Sequence, residues 1–210
     1  MGASSESDAT ATRGSNRARR KGWGGATDVG KVREINEDSF LASPPLFAVA
    51  DGLGGHSAGE VASRIAVEAL ADKAPKTADA TALAKAARAA NTAVIDAVRD
   101  GLGGEGMGTT LTAVIVEGGR AVGAHVGDSR MYLLGREGLE QVTEDHSMVA
   151  DMVRKGTLTP AEAWSHPNRN VITRALGNDP DLVIDTFEFD IEPGDRLLLC
   201  SDGLHGMLAD

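Results

Sequence analysis

Aromatic residues are scarce in this 210-residue chain: four Phe, two Trp and one Tyr, 3% of the total. Its core must therefore be aliphatic and alanine-rich, which excludes a fold held by large aromatic clusters. Cysteine occurs once, as Cys200, so there is no internal disulfide framework, and a reducing, cytoplasmic compartment is expected. Cys200 closes the run Leu-Leu-Leu-Cys and reads as a buried structural thiol rather than a nucleophile. No apolar stretch approaches the roughly 18 residues that cross a bilayer, and no signal-peptide core opens the chain. Positive charge is in deficit: 21 Lys and Arg against 31 Asp and Glu leave a net charge of −10. That is the opposite of a nucleic-acid-binding surface. What remains, 41% hydrophobic and 25% charged, is an ordinary globular composition, and the length favours one domain.

Residues 1–22 are rich in Ser, Ala, Thr, Gly and Arg without periodicity and read as a disordered tail. Arg13, Arg17, Arg19, Arg20 and Lys21 form a basic cluster there, read as solvated, with an anionic surface as the alternative partner. The folded domain is expected over 23–210. Its organising stretch is Leu46 to Gly55, L-F-A-V-A-D-G-L-G-G. Five uncharged residues fit a strand buried on both faces, and Asp51 follows at once. A carboxylate at the end of such a strand is costly unless it is paired or bound to a metal. The glycines allow close backbone approach, and hard cations want oxygen ligands, carboxylate and carbonyl. Alone, Asp-Gly marks an ordinary turn.

The pattern recurs. Ala121 to Gly127 ends in Asp128-Ser129, and Arg196 to Cys200 ends in Ser201-Asp202-Gly203. Three carboxylates at buried strand ends would repel one another without cations. With one cysteine and no histidine pair at ligand spacing, zinc is disfavoured, and an all-oxygen donor set favours magnesium or manganese. Upstream, Arg33 is a candidate phosphate fork. A surface ion pair with Glu34 or Glu37 is the competing assignment.

Between these points the periodicity predicts a helix from Ala58 to Ala71, opened by a Ser57/Glu60 capping box, with Val61, Ile65 and Ala69 on its buried face. A second helix is predicted from Ala78 to Arg99, with Leu83, Ala87, Ala90, Val94 and Val98 inward. Gly101 to Gly108 fits G-x-G-x-x-G, but a helix precedes it and a strand follows, so it reads as a flexible loop rather than a dinucleotide site. Strands at Thr110–Glu117, Ala121–Gly127 and Arg130–Leu134 predict an antiparallel meander with a Gly118-Gly119 turn. A helix at Glu144–Lys155, a short one at Ala161–Trp164, and strands at Asp181–Asp190 and Arg196–Cys200 complete the expectation. His125, His146 and His166 read as core or surface residues, not ligands.

Seven pieces occur in a fixed order: V-R-E-I-N-E-D at Val32–Asp38, V-A-D-G-L-G-G-H at Val49–His56, G-T-T-L at Gly108–Leu111, V-G-D-S-R at Val126–Arg130, D-H-S at Asp145–Ser147, I-T-R-A-L-G at Ile172–Gly177 and C-S-D-G-L at Cys200–Leu204. In these the chain resembles the metal-dependent (type 2C) serine/threonine protein phosphatases of the PPM family, in their bacterial branch. The resemblance implies an α+β fold, a four-layer α/β/β/α sandwich of two antiparallel sheets flanked by helices. It implies two Mn2+ or Mg2+ ions, with a third as an option, and hydrolysis of phosphoserine and phosphothreonine in proteins by a metal-bridging hydroxide. Carried over residue by residue, Asp51 bridges two ions, the Gly52 carbonyl holds one, Asp202 holds the other, and Asp128 holds the third. Glu37 and Asp38 hold the ions' waters, and Arg33 binds the phosphate.

Phosphorylated proteins and a serine/threonine kinase are the implied partners of a monomeric enzyme. Two departures stand out. Leu53 occupies the position where animal members have a histidine, and the chain stops at Asp210 without the family's final Asp-Asn pair. That second departure gives the expectation of a C-terminally truncated domain with a weakened second ion. It also gives an alternative function, a pseudophosphatase or phosphate-binding scaffold. A regulator-type phosphatase acting on one partner of a stress or sporulation switch is a further alternative within the fold.

Overall fold

The computed structural model describes residues 22–55, 58–104 and 106–208. The basic tail, His56 and the Ser57 half of the expected capping box lie outside the described residues. Two antiparallel sheets are present. The larger runs β1 (Asp38–Ser43), β2 (Leu46–Leu53), β4 (Leu111–Glu117), β5 (Arg120–Val126) and β8 (Asp185–Asp190) in that spatial order, with the short β3 (Gly108–Thr109) pairing the far end of β2. The smaller runs β7 (Gly138–Gln141), β6 (Arg130–Gly135) and β9 (Arg196–Cys200). The helices are α1 (Ala58–Lys73), α2 (Ala80–Arg99), α3 (Met148–Arg154), α4 (Pro160–Trp164) and α5 (Asp202–His205).

The alternation of side chains along the central strands creates two cores. Ala48, Ala50, Ala113, Ile115, Val122 and Ala124 face α1 and α2. There they meet Ala62, Ala66 and Leu70 of α1 and Leu83, Ala87, Ala90 and Val94 of α2. Alanine facing alanine lets these helices lie close to the sheet, which is how so aromatic-poor a chain is packed. The opposite face contributes Val114 and Ala121, which meet Met131, Leu197 and Leu199 of the smaller sheet. Phe47, Phe187 and Phe189, three of the chain's four phenylalanines, lie in this inter-sheet layer.

Several expectations are corrected. On α1 the buried face is Ala58, Ala62, Ser63, Ala66, Val67 and Leu70, while Val61, Ile65 and Ala69 sit at its margins. Small residues win the inner face because α1 presses on β2 and β1: Gly59 abuts Gly52, and Ser63 Oγ meets Ser39 Oγ at 2.9 Å. The expected meander breaks after β5. Gly118 and Gly119 both have positive φ, 62° and 84°, and close the β4–β5 hairpin. At Gly127–Ser129, however, the chain leaves the larger sheet and enters the smaller one. In the loop before β3, Met107 is fully buried, while Gly101, Leu102, Gly104 and Gly106 are exposed. The helix expected from Glu144 starts only at Met148, capped by Ser147, because Asp145 and His146 are drawn into the site's support. The strand expected from Asp181 begins at Asp185, Leu182 and Ile184 being buried in the helix-side core before it.

Candidate functional site

Asp51 lies within β2, not after it, and its backbone is held on both sides. Its N–H donates to Thr110 Oγ1 at 2.8 Å. Its carbonyl accepts from the Thr110 N–H and the Thr109 hydroxyl, both at 2.9 Å. Gly52 donates its N–H to the Glu37 carbonyl at 3.0 Å. Asp38, the first residue of β1, is the direct cross-strand partner of Asp51. Like charges placed directly opposite on a sheet are unfavourable, so this register puts two acids where folding alone would not.

The other two acids arrive from the smaller sheet. Asp128 is 7% exposed and sits on the crossover between the sheets. Asp202 opens α5 directly after β9 and Ser201. Ser201 Oγ donates to Asp38 Oδ2 at 2.6 Å and so ties the end of β9 to the start of β1. Burial, then the charges of Asp38, Asp202 and Asp128, push the Asp51 carboxyl up to about 8. Burial and the charges of Asp202 and Asp145 push Asp128 up to about 7. Asp38 is also raised, burial outweighing the Ser201 hydrogen bond.

Arg33 stands at the rim, its side chain 61% exposed, with Nη1 at 2.5 Å from Glu37 Oε2. The ion pair held open by the sequence is thus present. It is an exposed contact of the kind that contributes little, and it leaves most of the guanidinium open to solvent. Its charge still reaches Asp38, whose carboxyl it pulls down. The other oxygen of Glu37, Oε1, is buried without a hydrogen-bond partner.

Sequence reasoning assigned nothing to the residues that hold these acids in place. Thr110 Oγ1 lies 2.8 Å from Ser129 Oγ, and Thr112 Oγ1 donates to the Ser129 carbonyl at 3.0 Å, so the Asp51 and Asp128 turns share one buried hydroxyl chain. The Gly127 N–H donates to His146 Nδ1 at 3.1 Å, and His146 Nε2 faces Asp185 Oδ2 at 2.9 Å. This fixes the His146 tautomer with its proton on Nε2. His125 lies between Thr112 Oγ1 and the Glu144 carbonyl, and burial lowers its pKa to about 4. The sequence signal for Thr110, Ser129 and His146 is membership of the ordered pieces G-T-T-L, V-G-D-S-R and D-H-S; Thr112 and His125 lie just outside them.

Arg130 donates from Nε and Nη2 to both oxygens of Asp145, at 2.8–3.1 Å, and from Nη1 to the Tyr132 hydroxyl. Both ions are mostly withdrawn from solvent, with side chains 18% and 12% exposed. Arg130→Ala is therefore expected to cost about 3 kcal/mol, the penalty of stranding one buried ion of a pair. Urea unfolding of the variant checks this.

The donors fit a hard divalent cation. Every one is an oxygen, the acids raise one another's carboxyls, and a buried oxygen of Glu37 lacks a partner. Gly52 has no room for a side chain, since a Cβ there would meet the Gly59 carbonyl oxygen at 2.1 Å, so α1 and the Glu37 backbone lie directly against it. Among the described residues no three His, Cys, Asp or Glu side chains already close on one point as a finished cage.

The sequence matches the family described as protein phosphatase 2C over residues 31–210. It is 46% identical over 188 residues to the serine/threonine protein phosphatase PstP of Mycobacterium tuberculosis, covering 88% of this chain and 36% of that one. It is 40% identical over 196 residues to the serine/threonine phosphatase stp of Listeria monocytogenes, covering 88% of this chain and 78% of the relative. The chain thus spans about a third of the first relative and most of the second. The crystal structure of the PstP catalytic domain in complex with two manganese ions superposes with a TM-score of 0.77 at 44% identity, over 86% of this chain and 77% of that one. These relatives are named as phosphatases, and none supports the scaffold alternative. By family match, by identity and by fold, the chain belongs to the protein phosphatase 2C family.

Proposed function

We propose that this chain hydrolyses phosphoserine and phosphothreonine in proteins, using two divalent ions, manganese or magnesium. The observation that carries the reading is the meeting of Asp38, Asp51, Asp128 and Asp202 from two sheets; burial, and then the neighbouring acids, push the Asp51 carboxyl up to about 8. Ions bound there would supply an activated water and clamp phosphoryl oxygens. Asp51 would serve both ions, the Gly52 carbonyl and Asp202 one each, and Asp128 a third, weaker one. Glu37 and Asp38 would accept hydrogen bonds from the surrounding waters and so hold the ligands in orientation. Arg33 would bind the substrate phosphate through its planar fork, exchanging its contact with Glu37 for the phosphate oxygens. Leu53 cannot donate a proton, so no side chain is assigned as the acid for the leaving serine or threonine.

The likeness to named serine/threonine phosphatases supports phosphoprotein substrates, and a kinase that makes those substrates belongs to the same proposal. No described helix is long and apolar enough to cross a membrane. Cys200 is buried and in no disulfide, in keeping with the cytoplasmic location proposed here; a monomeric state belongs to the same proposal.

The test is release of phosphate from a phosphothreonine peptide. Activity should vanish with a chelator and return with manganese, and calorimetry should show at least two ions bound. A chain that binds two ions yet releases no phosphate would refute the reading. In the same assay Arg33→Ala is expected to raise KM about tenfold at saturating manganese, with Arg33→Lys restoring only part of it, because an ammonium cannot replace a bidentate fork. A defect cured by more manganese would place Arg33 in metal binding instead.

A further inference from the structure

We propose that the chain carries a preformed pocket beside its metal-binding acids that selects an aliphatic side chain two residues from the phosphorylated one. This rests on the phosphatase reading above and names the feature of the substrate that the site recognises.

The pocket lies at the end of β2. Leu53 forms one wall, and Ile172, Ala175, Leu182 and Val183 form the other. Thr173, Arg174, Asn178 and Asp179 also line it; the Arg174 guanidinium donates to Asp185 at 2.8 Å, so its charge is already answered, and the aliphatic side chains form one continuous part of the lining beside these polar ones. Burial alternates along β2, with Ala50 and Gly52 turned to α1 and Asp51 and Leu53 to the opposite face. Side chains on one face of a strand repeat every two residues, about 7 Å. The pocket wall therefore begins one such step from the Asp51 carboxylate.

An extended substrate segment has the same repeat. With its phosphorylated residue over Asp51, the residue two positions along meets Leu53 and the 172–183 wall. Recognition of extended peptides commonly works this way, with alternate side chains entering pockets.

The far wall is held rigidly without a substrate. Leu176 exchanges backbone hydrogen bonds with Thr109 of β3, at 2.8 and 3.1 Å. Asn91 of α2, 2% exposed, accepts from the Gly177 N–H at 2.8 Å and donates to the Asp179 carbonyl at 2.7 Å. A buried asparagine spent on clamping this segment keeps the pocket open at low entropic cost to binding. Val183, 64% exposed, and Val171, 40% exposed, place apolar surface around this segment that the fold itself does not use.

The experiment uses the manganese-loaded chain with a small aryl phosphate and a set of phosphothreonine peptides. The peptides differ only in the residue two positions before or after phosphothreonine, Leu, Val, Gly or Asp. The expected result is a kcat/KM for Leu about tenfold above that for Asp on one side, the discrimination a hydrophobic pocket provides. Val183→Asp should erase or reverse that Leu-to-Asp ratio. Equal kcat/KM for all peptides, with the aryl phosphate turned over, would overturn the pocket and leave the phosphatase reading standing. An unchanged ratio in Val183→Asp would also overturn it. No turnover of any substrate would overturn both.

Discussion

Asp51→Asn is expected to reduce phosphate release by at least a hundredfold while making the metal-free chain more stable at neutral pH. The loss follows from its place between the ions: even an outer partner at a metal site is worth about 10–100-fold, and Asp51 is proposed to serve both ions. The gain follows from the carboxyl's environment. Its value in the folded chain is about 8, against a reference of 3.8, because it is buried among Asp38, Asp202 and Asp128. The folded state therefore keeps a proton that the unfolded state gives up. Its stabilising contribution is complete below about pH 4 and is lost as pH rises through about 8. Asparagine has no proton to lose, so the metal-free variant should show a flatter dependence over that window and melt higher at pH 8. Thermal melts of chelator-treated protein at pH 5 and pH 8 measure this, beside phosphate release with manganese. A variant that keeps near-normal turnover, or whose metal-free stability at pH 8 matches the parent, would remove Asp51 from the centre of the site.

That opposition between stability and function is also what made the site readable. Asp51 and Asp202 stood out because each adjoins an apolar run with glycine beside it, although Asp51 proves to lie within β2 and the runs are not buried on both faces, Leu198 of β9 being 44% exposed. Asp128 was found by the same signal, but its position on the passage from one sheet to the other was not. Three consecutive strands with short turns look like one meander whether or not the chain changes sheets. The change is dictated by Gly127, at φ 107°, and by the His146 ring that its N–H meets, a contact between residues 19 apart. β1 was missed because its six residues Asp-Ser-Phe-Leu-Ala-Ser have too few apolar positions to show a period. Its purpose is partly to bring Asp38 opposite Asp51. On α1, periodicity favoured the large residues Val61 and Ile65, whereas closeness to the sheet favoured alanine, and only the partner surface decides between them. The supporting Thr110, Ser129 and His146 show in the sequence only as members of the ordered pieces, since the role of a buried hydroxyl or imidazole is recognisable only from what it touches.

Gly52→Ala is expected to be the most damaging small substitution in the chain, at about 3 kcal/mol or more, the upper range for forcing a methyl into filled space. A Cβ at this position would lie 2.1 Å from the Gly59 carbonyl oxygen, 2.3 Å from its carbon and 2.6 Å from the Glu37 carbonyl oxygen. All three are backbone atoms, so no rotamer change relieves the contact. Either α1 lifts from β2, or the Gly52–Glu37 hydrogen bond breaks and takes Glu37, Asp38 and Arg33 with it. Both responses displace the acids, so manganese binding measured by calorimetry should weaken in parallel with the urea midpoint. Gly55→Ala is the control three residues on: a Cβ there meets nothing within 4 Å, and neither quantity should move. If Gly52→Ala unfolds like the parent and binds manganese as tightly, the close approach of α1 to β2 is not what builds this site.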